Sequence, residues 1–373
     1  MRNSMIRRLM VGAALSLVAG LATAQQAPGG GQGGAQGDYN ISARSDADKA
    51  LPNPYARDET YFRIPKTMNL GGTSGIDFDH DGKSIWIAQR CGGQDYCIGS
   101  DADPIWKFDG QGRLVKHFGK GLITYPHGLH VDRDGAIWVT DVRTNTHEQQ
   151  GQSAKRIPGA KPNGAQVVKF SPDGKVLLRL GVQGEYGTDS AHLSQPSAVI
   201  TAPNGDIFVA DGHDSAPSNN RIVRYDRTGK FIKAWGGPED MNCPHALAMD
   251  SQGRLFVADR GNNRILIYDQ DGKLLDTWKQ FGKPSGLFID KDDILYSADS
   301  QSGIRQQNAY IRGVHVGSAK TGKVTAFIPD PLGNPTPWFP LRGTTGAEGI
   351  VAGNGAIYVS QVTPPGLAKY TLK

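Results

Sequence analysis

The chain has 373 residues, a formal net charge of +5, 38% hydrophobic and 21% charged residues. Arg2, Arg7 and Arg8 sit in a removable leader, and taking these three from +5 leaves +2. That balance, with no arginine-rich stripe among aromatics, excludes a nucleic-acid or polyanion partner.

Residues 1–24 read as a secretory signal: the three arginines, an apolar run over 9–21, and Ala22-Thr23-Ala24 as a small-residue cleavage site. The apolar run is shorter than the roughly 20 residues of a membrane-spanning helix, and no later stretch reaches that length. The expectation is a periplasmic or secreted protein with no membrane span. Residues 25–58 form a tether and N-terminal segment, rich in Gly and Gln up to residue 37. Residues 59–373 are long enough for one large β domain.

A short pattern then recurs six times. The copies begin at Thr73-Ser74-Gly75-Ile76, Pro126-His127-Gly128-Leu129, Pro196-Ser197-Ala198-Val199, Pro244-His245-Ala246-Leu247, Pro284-Ser285-Gly286-Leu287 and Ala347-Glu348-Gly349-Ile350. Each continues through a polar turn into a strand-like run, from Ile85-Trp86-Ile87-Ala88 in the first to Ile357-Tyr358-Val359-Ser360 in the last. Turns such as Asp109-Gly110-Gln111-Gly112 and Asp269-Gln270-Asp271-Gly272 supply hairpin backbone angles before a half-buried outer strand. A repeat of strand and turn at this length predicts an all-β, six-bladed β-propeller. The last copy lacks an outer strand, which residues 60–64 are expected to supply, closing the ring and removing an open sheet edge.

Long connections fall at 90–102, 143–165, 300–310 and 330–345. At least the first three are expected on one rim, where loops on a rigid scaffold recognise a small-molecule substrate or a protein partner. Cys91 and Cys97 are expected to pair in an oxidising compartment, leaving Cys243 as a buried thiol or a neighbour of His245.

One column of the repeat reads Ser74, His127, Ser197, His245, Ser285, Glu348. Equivalent positions on successive blades form a ring about one axis. His127, His245 and Glu348 come from alternate blades, a third of a turn apart, which suits a three-ligand site for zinc or another divalent transition metal. The alternative is a polar channel lining without metal. His130, one residue past Leu129, points away from that residue's face and reads as solvent-facing, with support of the ligands as the other reading.

Pro126 to Val142, together with Val209-Ala210-Asp211-Gly212, Asn220-Arg221-Ile222-Val223 and Pro244-His245-Ala246-Leu247, resembles the NHL-repeat propeller of peptidyl-α-hydroxyglycine α-amidating lyases from about residue 71 onward. The resemblance implies zinc held by three histidines, matched here by His127 and His245 with Glu348 in the third place. It implies substrate-binding arginines at Arg90 and Arg260. The family's catalytic tyrosine falls at His213, a residue able to move protons near neutral pH. Gly349 stands where the family has a calcium-binding aspartate, so calcium is not expected. On this reading the chain is a lyase acting on a small carboxylate or carbonyl compound of the peptidyl-α-hydroxyglycine type. A metal-dependent ester or lactone hydrolase and a non-catalytic binding platform are the alternatives.

Overall fold

The computed structural model describes residues 41–93, 96–145, 161–213, 218–302, 310–331 and 347–373. The expected signal and the Gly/Gln-rich stretch lie outside these residues, as do parts of the four long connections. The described residues form six four-stranded antiparallel sheets. Five of them run from an inner strand outward in sequence order, as in blade two: Pro126–Val131, Ile137–Asp141, Gln166–Phe170, Val176–Leu180. Six clusters of buried apolar side chains fill the gaps between neighbouring blades. Trp86 and Phe170, for example, share the cluster between blades one and two. Each blade therefore buries both faces, which is why its second strand reads as a continuous apolar run.

Blade six is completed from the N-terminus, but not by residues 60–64. The outer strand is β1 (Tyr55–Asp58), paired antiparallel with the strand Gly366–Leu372 in the register Tyr55↔Leu372 to Asp58↔Lys369. Residues 60–64 instead cross to blade one, where Arg63 bridges Arg113 in parallel. Phe62 explains the shift: its ring is buried between blades six and one, 5.0 Å from Phe108. The apolar residues plug the gap, and the half-polar Tyr-Ala-Arg-Asp run takes the edge. Ahead of β1 lies one short helix, α1 (Ile41–Ala50), which strand periodicity did not indicate. Its Asp48 reaches within 3.1 Å of the buried His315 of blade five.

The aspartates that end the second strands have a structural task. Asp141 accepts from the backbone N–H groups of Thr124 and Tyr125, Asp211 from Ser194 and Gln195, Asp259 from Asn242 and Asp299 from Lys283. Each carboxylate ties down the segment that leads into its own blade's inner strand. Burial pushes their proton affinity up, Asp141 to about 6. The second strands all end on the same face, so connections 90–102, 143–165 and 300–310 leave from one rim. Cys91 and Cys97 are disulfide-bonded in the first of these, with Cα atoms 5.2 Å apart.

Candidate metal centre on the propeller axis

The inner strands approach one another closely around the axis. A Cβ on Gly128 would stand 2.6 Å from the carbonyl oxygen of Ser197, and one on Gly286 would stand 2.5 Å from that of Glu348. Small residues in this column, including Ala198 and Ala246, let the preceding column turn its side chains inward. The result is an axial cavity of about 310 Å³ lined at one end by His127, His245, Glu348 and the serines between them.

His127 Nδ1 donates to the carbonyl of Ser197 at 2.8 Å, and His245 Nδ1 to that of Ser285 at 2.6 Å. A carbonyl only accepts, so Nδ1 carries the proton and Nε2 presents a lone pair. Both rings are buried. Burial, then the neighbouring His213 and Arg90, hold His127 well below the ordinary histidine value, so the ring is neutral at pH 7. Neutral imidazole is the form that ligates metal.

A third histidine joins this pair. His213, expected to move a proton, lies with His127 and His245 in one buried group whose donor nitrogens are all within 4.8 Å of one another. Its Nε2 is 3.2 Å from that of His127. Two imidazole nitrogens on one tetrahedral zinc at about 2.0–2.1 Å stand about 3.3 Å apart, so this spacing fits co-ligands. These three residues could hold a metal. Glu348, expected as third ligand, is outside that mutual group. Its Oε1 is 3.4 Å from His245 Nε2 and 3.3 Å from Arg260 Nη1, and its Oε2 accepts from Ser300 Oγ.

Arg260 is buried behind Glu348, with Nη2 also donating to Cys243 Sγ at 3.3 Å. Arg260 thus lies between the carboxylate and the buried thiol of Cys243. Arg90 lies 4.3 Å from the centroid of the Tyr125 ring. Arg143, which sequence reasoning passed over, packs on the same ring at 4.6 Å and donates to Tyr96 Oη at 2.8 Å. The signal was there: Arg143 follows Asp141 by two residues, as His213 follows Asp211. His130 is not on the outer surface. It lines the far part of the same cavity, bonded to Asp77 and Thr201.

The NHL repeat model matches residues 241–268, the first half of blade four and its third strand. A probable peptidyl-α-hydroxyglycine α-amidating lyase of Caenorhabditis elegans is 27% identical over 260 residues, covering 68% of this chain and 65% of that protein. Peptidyl-glycine α-amidating monooxygenase A of Xenopus laevis is 37% identical over 158 residues, which cover 40% of this chain but 14% of the monooxygenase. The chain therefore matches only a small part of the monooxygenases it resembles. Among solved structures, a gluconolactonase of Xanthomonas campestris superposes with a TM-score of 0.54 at 16% identity, over 82% of this chain and 87% of that one, a likeness of fold. By its six blades, the NHL repeat matched at residues 241–268 and these relatives, the chain is a six-bladed β-propeller that resembles the peptidyl-α-hydroxyglycine α-amidating lyases.

Proposed function

We propose that the chain is an exported, metal-dependent lyase that cleaves an α-hydroxyglycine-type compound into an amide and glyoxylate. The observation that carries this reading is the convergence of His127, His213 and His245, two of them with Nδ1 tied to backbone carbonyls. These three residues would hold the ion, zinc by donor type, and when bound it supplies Lewis-acid polarisation of a substrate oxygen. With His213 among the ligands, Glu348 becomes the group that takes the substrate's hydroxyl proton, oriented by Arg260 and Ser300. Breaking the C–N bond then leaves an aldehyde carbonyl, and the departing nitrogen gains a proton, with no water consumed. Arg90 would pair with the substrate carboxylate, since a guanidinium stays charged and offers a forked donor pair. The amidating lyases among the relatives support this reaction class.

The test is metal content by ICP-MS on protein purified without chelators, beside His127→Ala and His213→Ala, followed by glyoxylate release from a hippuric-acid-derived α-hydroxyglycine. One metal per chain, lost in both variants, with glyoxylate formed only by the wild type, is the expected result. A metal-free wild type that resists reconstitution refutes the mechanism and leaves a binding platform. A metal-loaded protein that hydrolyses esters or lactones but no hydroxyglycine refutes the lyase assignment alone.

A further inference from the structure

The cavity below the histidine cluster has a second end. About 10 Å along the inner strands, its lining becomes Asp77, His130, Thr201 and Met249. Here the side chains of Asp77 and His130 are 18% and 20% exposed, whereas His245 is 1% exposed. Asp77 Oδ2 lies 3.1 Å from His130 Nδ1 and also accepts from Val131 N at 2.9 Å; His130 Nε2 is 2.9 Å from Thr201 Oγ1. A carboxylate and an imidazole held together at a channel mouth are donors that suit a first-row divalent cation.

Electrostatics separates the two approaches to the cluster. Among the described residues, the rim beyond the histidines carries the buried guanidinium groups of Arg90 and Arg143, beside Arg260, whose charge is offset by its pairing with Glu348; none of the three arginines lines the cavity. Guanidinium groups stay protonated at working pH. A dication coming from that side meets fixed positive charge in a poorly screened environment, and one coming through the channel meets a carboxylate first. The same arginines favour an anionic substrate on the rim side.

We propose that the axial channel is the route by which the metal is loaded, and that Asp77 and His130 form its capture site at the mouth. The inference rests on the metal-centre reading above. Metal and anionic substrate then reach the histidines from opposite faces of the propeller.

The experiment follows Co²⁺ binding to the metal-stripped full chain by its visible absorption, in stopped flow and at several ionic strengths. Asp77→Asn should slow loading by about tenfold and flatten its salt dependence, as loss of a steering charge does. Met249→Trp, which narrows the mouth without touching charge, should slow loading and release by the same factor, because a route changes both directions and leaves the equilibrium alone. Unchanged rates in Asp77→Asn and Met249→Trp overturn the proposal, as does faster loading in Arg143→Gln with the two mouth variants silent. Wild-type protein that binds no Co²⁺ instead refutes the metal centre itself; stoichiometric binding with unchanged rates refutes only the route.

Discussion

Replacing Gly128 by alanine tests the packing that builds the axial site. Gly128 is not in the left-handed region, so its need for glycine is one of space, not backbone angle. An added Cβ would meet the Ser197 carbonyl oxygen at 2.6 Å and the Ala198 Cα at 3.0 Å, where ordinary contact begins near 3.4 Å. The inner strands of blades two and three must part by roughly 0.8 Å, or the residue must rotate. Overpacking against backbone costs about 2–3 kcal/mol, a fall in Tm of about 3–5 °C for a domain of this size. The carbonyl that moves is the one that accepts from His127 Nδ1 at 2.8 Å, so metal affinity should fall with stability. Ala198→Gly, the equivalent position in blade three, already carries the methyl and should cost only about 0.5–1 kcal/mol in backbone entropy. Chemical denaturation of both variants, with metal titration, is the assay. Gly128→Ala within about 0.5 kcal/mol of wild type would refute the close-approach argument.

Ring closure by β1 predicts that deleting residues 54–58 exposes the edge of the strand Gly366–Leu372 and lowers Tm sharply, whereas deleting 25–37 does not; equal melting temperatures would sink it. Asp141 is raised to about 6 by burial, against an ordinary 3.8. A raised folded value means that its contribution, about 3 kcal/mol, is present below pH 3.8 and is lost as pH rises through 6. Asp141→Asn should therefore narrow the wild-type difference in stability between pH 4 and pH 7, even though the amide nitrogen faces the Gln166 donor and lowers stability overall. The disulfide between Cys91 and Cys97 closes a short loop and should contribute about 2 kcal/mol, so Tm should fall in reductant and in Cys97→Ser. Identical melting curves with and without reductant would count against it.

The blades were legible because each repeat carries its own signals: an apolar second strand buried on both faces, a hairpin turn, and a small residue where inner strands touch. Ile85-Trp86-Ile87-Ala88 and its five counterparts all became second strands. Closure was harder to place because residues 55–58 and 60–64 are equally strand-like, and only the buried pocket for Phe62 decides between them. His127 and His245 were visible as a column, since a ring of blades turns sequence equivalence into spatial convergence. His213 was not, because it lies outside that column, two residues past the end of a second strand. Its arrival at the axis depends on how far that segment leans inward, which no periodicity encodes. Glu348 shared the column but is drawn toward Arg260 and Ser300, partners that come from other blades.

The alternation of serine with histidine around the axis has a consequence for how such a site can drift over evolutionary time. His127 leans on the carbonyl of Ser197, whose hydroxyl donates to the carbonyl of Pro244, next to His245. His245 leans on the carbonyl of Ser285, whose hydroxyl meets Ser300, which in turn donates to Glu348. Each serine is therefore inherited with two neighbours' geometry attached. A change at Ser197 is felt by the histidines of blades two and four at once, so single replacements in this ring are penalised together while compensated pairs are not. Epistasis of that kind would keep the ring's pattern intact while the outer strands vary freely, and would let a ligand type change only when its neighbours change with it.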